Sequence, residues 1–145
     1  MRIFYQLSIA LVIGAFVAEA QPTDWSKLSQ VTFVSSFDEN WGMEVKKPVF
    51  SGSVMSLQGK EVVLDGYIYP LEGKKASAYF VLSALPLSSC FFCGKGGPET
   101  VVEVNAQKPI PYTDKKIVLK GKLLVKDADP QGIIYSLQEA FLLTR

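Results

Sequence analysis

From Lys60 to the end of the chain, apolar and polar residues alternate with a period of two, the signature of strands half-buried on one face. In 61–70, Val62, Leu64, Gly66 and Ile68 share one face, while Val63, Asp65, Tyr67 and Tyr69 share the other. The polar, glycine-containing run Leu71-Glu72-Gly73-Lys74-Lys75 has hairpin length and leads to 76–82, where Ala78, Phe80 and Leu82 are in phase. A short third strand is predicted over 100–104, after which Pro109 and Pro111 are expected to break the chain. In 116–126, Ile117, Leu119, Leu123 and Val125 face one way and Lys120, Lys122 and Lys126 the other. The turn 127–132 then leads to 133–143, where Ile133, Tyr135, Leu137 and Phe141 are in phase and Glu139 is not.

Five strands in two groups, separated by a loop at 84–99, predict a mainly β protein: a small OB-like five-stranded barrel with at most one or two short helices. A small β-sandwich is the alternative. Gly66 and Gly121 fall mid-strand, where glycine marks a bulge or a sharp bend at a barrel corner. An OB-type barrel carries its insertion between the third and fourth strands. The count here places the long loop between the second and third, unless 50–57 supplies an earlier strand.

Residues 1–20 read as a signal peptide: Arg2, an apolar run from Leu7 to Val17, then Ala18-Glu19-Ala20 at the cleavage point. The run is shorter than a bilayer span requires, so no stable membrane span is expected once the leader is removed. The expected location is periplasmic or extracellular. Residues 21–48 form an N-terminal arm, with a short helix near Trp25-Ser26-Lys27-Leu28, a strand at 31–34 and a turn at 38–40. Trp25, Phe33, Phe37 and Trp41 are too many aromatics for a solvated tail, so the arm is expected to wrap over the domain at 49–145. Lys46-Lys47-Pro48 closes it.

Composition narrows the chemistry. The 145 residues include no histidine, which excludes a Ser-His-Asp triad, a Cys-His dyad and His-ligated zinc from this chain alone. Fifteen basic residues against fourteen acidic ones leave no concentrated basic surface for nucleic acid. No two of Asp65, Glu72, Glu99, Glu103 and Glu139 are spaced as a hydrolytic pair, so no catalytic residue and no organic cofactor site is assigned.

One loop differs from the rest. Ser88-Ser89-Cys90-Phe91-Phe92-Cys93-Gly94-Lys95-Gly96-Gly97-Pro98-Glu99 holds both cysteines and three of the eleven glycines. It does not match the spacing of a phosphate-binding loop. Cys90 and Cys93 admit three fates. At i and i+3 they share a face of a helical turn and can form a disulfide, which by closing so short a loop contributes about 2 kcal/mol at best. As thiolates they suit zinc or copper, although structural zinc wants four ligands and copper(I) needs fewer. As a redox pair they would need a lowered thiol pKa, from Lys95 or from a helix N-terminus at Ser88-Ser89, yet the strand-motif-helix setting of thioredoxin-like enzymes is missing. Lys95 and Glu99 are the further contributors from this loop.

The order of motifs resembles the domain of unknown function 3299 family of small exported bacterial proteins. The resemblance is carried by Gly59-Lys60, by Val62-x-Leu64-x-Gly66-Tyr67-Ile68-Tyr69-Pro70-Leu71-Glu72, and by a strand running into a cysteine-containing loop. Pro98, Val101-Val102-Glu103-Val104, Gly121-Lys122-Leu123 and Gly132-Ile133-Ile134-Tyr135 follow in the family's order, so that it covers roughly 48–143. Many family members carry Cys-x-His in this loop, which implies metal ligation. Here Cys90 matches, Phe92 stands where that histidine would fall, and Cys93 follows one position later. Cys93 then either substitutes as a thiolate ligand or closes a disulfide.

The expected function is that of an exported accessory or binding protein handling zinc or copper through Cys90 and Cys93, with a protein or metal-transport partner. The alternative is a structural or protein-interaction module whose loop is locked by a Cys90–Cys93 disulfide; a thiol-disulfide oxidoreductase ranks below both.

Overall fold

The structure, a computed structural model, describes residues 25–89, 91–126 and 132–143. The signal peptide expected at 1–20, the start of the arm at 21–24, Cys90 and most of the turn at 127–132 lie outside the described residues. In chain order, α1 (Trp25–Leu28) leads into a hairpin of β1 (Val31–Asp38) and β2 (Met43–Phe50), and α2 (Gly52–Met55) follows. Five longer-range strands come next: β3 (Glu61–Tyr69), β4 (Ala76–Ser83), β5 (Val101–Pro111), β6 (Ile117–Val125) and β7 (Tyr135–Leu142). They close into a barrel in the order β3-β4-β5-β7-β6, with β5 and β7 parallel and every other pair antiparallel. This is a small, mainly β, OB-like barrel with two short α-helices among the described residues.

The period-two faces become the inside and outside of the barrel. Val62, Leu64, Ile68, Phe80, Leu82, Val104, Leu119, Leu123 and Leu137 point inward and are fully or almost fully buried. Gly66 is the corner: β3 pairs with β6 through Glu61–Gly66 and with β4 through Tyr67–Tyr69. A Cβ at position 66 would come within 2.5 Å of the Ser83 carbonyl oxygen, so only glycine permits the approach. Gly121 faces a bulge. The β6–β7 register slips between Lys120 and Lys122, and Glu139 takes up the extra residue at φ 53°. The out-of-phase Glu139 of the sequence is this bulge.

Two expectations give way. Pro109 and Pro111 do not end the third barrel strand, which runs on to Pro111 instead of stopping near 104. Beyond Ala106, β5 has left β7, so a proline there has no β7 ladder bond to lose. Lys46-Lys47-Pro48 does not close the arm but lies inside β2. No barrel strand forms at 50–57, where β2 ends and α2 sits, so the long loop joins the second and third barrel strands; the link from the third to the fourth is only 112–116.

The arm covers the barrel only at its base. Leu28 of α1 and Val54 of α2 are fully buried in the barrel core, and Phe50 packs its ring on Tyr135 at 5.9 Å. The Tyr135 hydroxyl donates to the Leu28 carbonyl (2.6 Å) and Trp25 Nε1–H to the Asp65 carbonyl (2.8 Å). Ser51 caps α2, its hydroxyl accepting from the Val54 amide at 3.3 Å. Beyond that base the hairpin projects. Phe37 and Trp41 are 62% and 66% exposed, because among the described residues no barrel strand pairs with the distal hairpin.

Candidate functional site in the cysteine loop

The segment 84–100 crosses the outside of the barrel in three 3-10 turns: Leu87–Ser89, Phe91–Cys93 and Pro98–Thr100. Its two ends are tied together. The Ala84 amide donates to the Thr100 carbonyl (2.9 Å), and the Leu85 amide donates to Ser83 Oγ (3.1 Å). Thr100 Oγ1 donates to the Gly97 carbonyl at 2.7 Å and closes the last turn.

A second apolar cluster, separate from the barrel interior, holds the loop down. Val81, Val101 and Ile133 are buried in it, with Tyr69 and Phe91 packed against them. This explains why β4 is buried at four successive residues, 80–83: Phe80 and Leu82 face the barrel core, whereas Val81 faces the loop. Phe91 lies against Gly132, where an added Cβ would meet its ring at 3.3 Å. The neighbouring Phe92 behaves differently. It is 41% exposed and stacks on Tyr69 with ring centroids 4.5 Å apart, while Phe91 meets it edge-on at 5.3 Å. The result is a ledge of three aromatic rings, anchored at Phe91 and open at Phe92.

Cys93 ends the middle turn and is exposed, its Sγ donating to the Leu87 carbonyl at 3.1 Å. Gly94 follows at φ 74°, the left-handed conformation that lets the chain leave the turn. Lys95 is exposed on the outer bend. Glu99 turns back over Gly97, its carboxylate filling the space a Cβ there would need. Burial, and to a lesser degree that carboxylate, raise the pKa of Tyr135, so the phenol stays neutral. The loop thus places Cys93 and Lys95 at the surface and sends Glu99 toward the clamp that holds α1. Among the described residues no three Cys, Asp or Glu side chains converge as a metal-binding group, and Cys90 stands outside them. The sequence signals Tyr69 and Val81 as loop anchors only weakly, as apolar residues off the inward phase, and Ile133 reads there as an in-phase core residue.

The lysine row on β6 is a surface ion-pair row. Lys120 meets Glu61 at 3.5 Å, Lys126 pairs with Glu103, and Lys122 is exposed. A groove of about 430 Å³ lies at the far end of β5, between Lys108–Pro111 and Ala140–Leu142, remote in the chain from the cysteine loop.

Neither a scan against protein-family models nor a search of curated proteins finds a match for this chain. A search of solved structures finds a DUF3299 family protein from Pseudomonas aeruginosa PAO1, with 20% identity over 62% of this chain and 65% of that one, at a TM-score of 0.41. The chain resembles a DUF3299 protein, as its motif order led us to expect. It spans less than two thirds of that chain's length. The DUF3299-like motifs themselves have structural work in this barrel: Gly66 turns the corner of β3, Gly121 faces the β7 bulge, and Gly132 seats Phe91. Tyr135, the last residue of those motifs, clamps α1.

Proposed function

We propose that this is an exported, non-catalytic binding module that meets a protein partner through the cysteine loop, whose outer turn is locked by a Cys90–Cys93 disulfide. The observation that carries the proposal is the aromatic ledge. Phe92 is left open to solvent on a loop that is otherwise pinned by its own apolar cluster. Exposed aromatics on a rigid base are what protein-binding surfaces use, because little side-chain entropy is lost on contact. The i, i+3 spacing of the two cysteines in the sequence permits such a bridge, which would replace the contact of the Cys93 thiol with the Leu87 carbonyl. A metal-handling role with zinc or copper is the second reading, favoured by one observation: the Cys93 sulfur lies at the surface, where a soft ion reaches it.

One sample of native protein separates the two. Thiol counting, intact mass and metal analysis are expected to show no reactive thiol, a mass two hydrogens below the reduced chain, and no bound metal. One equivalent of zinc or copper, absent from a Cys90→Ser, Cys93→Ser variant, would replace the disulfide-locked reading with the metal-handling one. Two reactive thiols without metal would remove both.

A further inference from the structure

The projecting hairpin has two open edges, and they are not alike. The outer edge of β2 carries Lys46, Lys47 and Pro48, the charges and the missing N–H with which proteins blunt a strand against pairing. The outer edge of β1 carries neither: Val31-Thr32-Phe33-Val34-Ser35-Ser36-Phe37-Asp38 has no proline, no lysine and one charge, at its end. It is rich in β-branched and aromatic residues, and among the described residues no strand pairs with that edge. A two-stranded ribbon alone is marginally stable in water. Here Phe33, Val34 and Phe37 are 36%, 49% and 62% exposed.

The sequence of β1 also says what fits. Phe33-Val34-Ser35-Ser36-Phe37 nearly reads the same in both directions, so an antiparallel copy centred on Ser35 sets Phe33 opposite Phe37, Val34 opposite Ser36, and Thr32 opposite Asp38. Directly opposed residues share a face, so the two Phe33–Phe37 pairs flank the paired serines on one side of the sheet. On the other side the Thr32 hydroxyl can donate to the Asp38 carboxylate. No like charges are opposed. We propose that the outer edge of β1 pairs antiparallel with β1 of a second copy of this chain, about a twofold axis at Ser35, making a four-stranded sheet β2-β1-β1-β2 across the dimer. Such an isologous contact closes on itself and leaves only the lysine- and proline-bearing β2 edges outside, which stops further growth.

The test uses the full chain expressed with its own leader, purified, and followed by light scattering from low to high micromolar concentration. A monomer–dimer equilibrium is expected. Ser35→Lys, at an exposed position, sets two ammonium groups against each other at the axis. It weakens the dimer by about an order of magnitude or more, with the circular dichroism of the barrel unchanged. Ser35→Cys gives a disulfide-linked dimer on mild oxidation, because facing residues on antiparallel strands lie at a separation a disulfide spans. Peptide mapping places the bridge between the two substituted positions, and Ser53→Cys on exposed α2 gives no comparable product. A chain that stays monomeric throughout, a dimer that Ser35→Lys leaves intact, or a crosslink no better at 35 than at 53 overturns the proposal. None of these outcomes touches the cysteine loop, so the two proposals fail separately.

Discussion

Tyr135 shows how one side chain ties the separate parts of this protein together. Its ring is buried in the barrel, its hydroxyl holds α1 through the Leu28 carbonyl, and Glu99 of the cysteine loop acts on it electrostatically. Burial and that carboxylate both push its pKa up from the ordinary phenol value of 10.0. The sign follows from linkage. Above about pH 10 the unfolded chain has lost the Tyr135 proton while the folded chain keeps it, so the unfolded state binds fewer protons and stability falls as pH rises. Below that pH the contribution is fully present. Tyr135→Phe is therefore expected to cost about 1 kcal/mol at neutral pH, where a hydrogen bond to a buried carbonyl is lost, and to flatten the alkaline limb of stability above pH 10. Urea titrations at neutral pH and at pH 10 to 11 on both proteins measure this; equal alkaline slopes would show that another group sets the limb. In the sequence Tyr135 is only an in-phase core residue, because alternation reports which way a side chain points and not which carbonyl it meets.

At the scale of elements, the barrel strands were legible and their exceptions carried meaning. Glu139 broke the phase because it sits at a bulge, and mid-strand Gly66 and Gly121 marked a corner and that bulge's opposite side. The length of β5 was not legible. Proline argues against a strand only where a ladder needs its N–H, and nothing in the local sequence says that β5 parts from β7 after Ala106. The anchoring of the cysteine loop was hidden for a similar reason. Val81 lies off the inward phase of its strand and Ile133 reads as in phase with the core, yet both face the loop, and only the folded loop, with Phe91 packed against them, covers them. It follows that Phe91 and Phe92 have different roles despite being adjacent and identical. Phe91→Ala should cost about 2 kcal/mol, less than truncating a fully buried phenylalanine. It should also speed amide exchange at Ala84, whose N–H closes the loop base on the Thr100 carbonyl, and at Thr100, whose N–H donates to the Gly97 carbonyl in the last turn. Phe92→Ala should leave those amides and the global stability nearly unchanged. Exchange measured by NMR on both variants decides it, and equal effects from the two would contradict the division into anchor and ledge.

Considered as a whole, the molecule joins a closed barrel, whose strands pair on both sides apart from the end of β5 beyond Ala106, to a two-stranded ribbon with two open edges. The four aromatics of residues 21–48 pointed to burial, but composition cannot say in which molecule the burial happens. Trp25 is tucked against its own barrel, whereas Phe37 and Trp41 stand clear of it. The two parts should therefore differ in how they open. Barrel amides at inward residues such as Leu64, Val104 and Leu119 are enclosed within the closed sheet and should exchange only through global unfolding. Amides of the distal hairpin, with one partner strand and an aqueous surround, should exchange through local opening at a much lower free energy. Raising protein concentration should leave the barrel rates unchanged and slow the alternate β1 amides that point away from β2, while those on the outer edge of β2 stay fast. Hydrogen exchange read residue by residue at two concentrations distinguishes this from a ribbon that merely frays. If β1 and β2 respond alike, or neither responds, the hairpin is a solvent-exposed appendage and the asymmetry between its lysine-bearing and bare edges has no consequence for assembly.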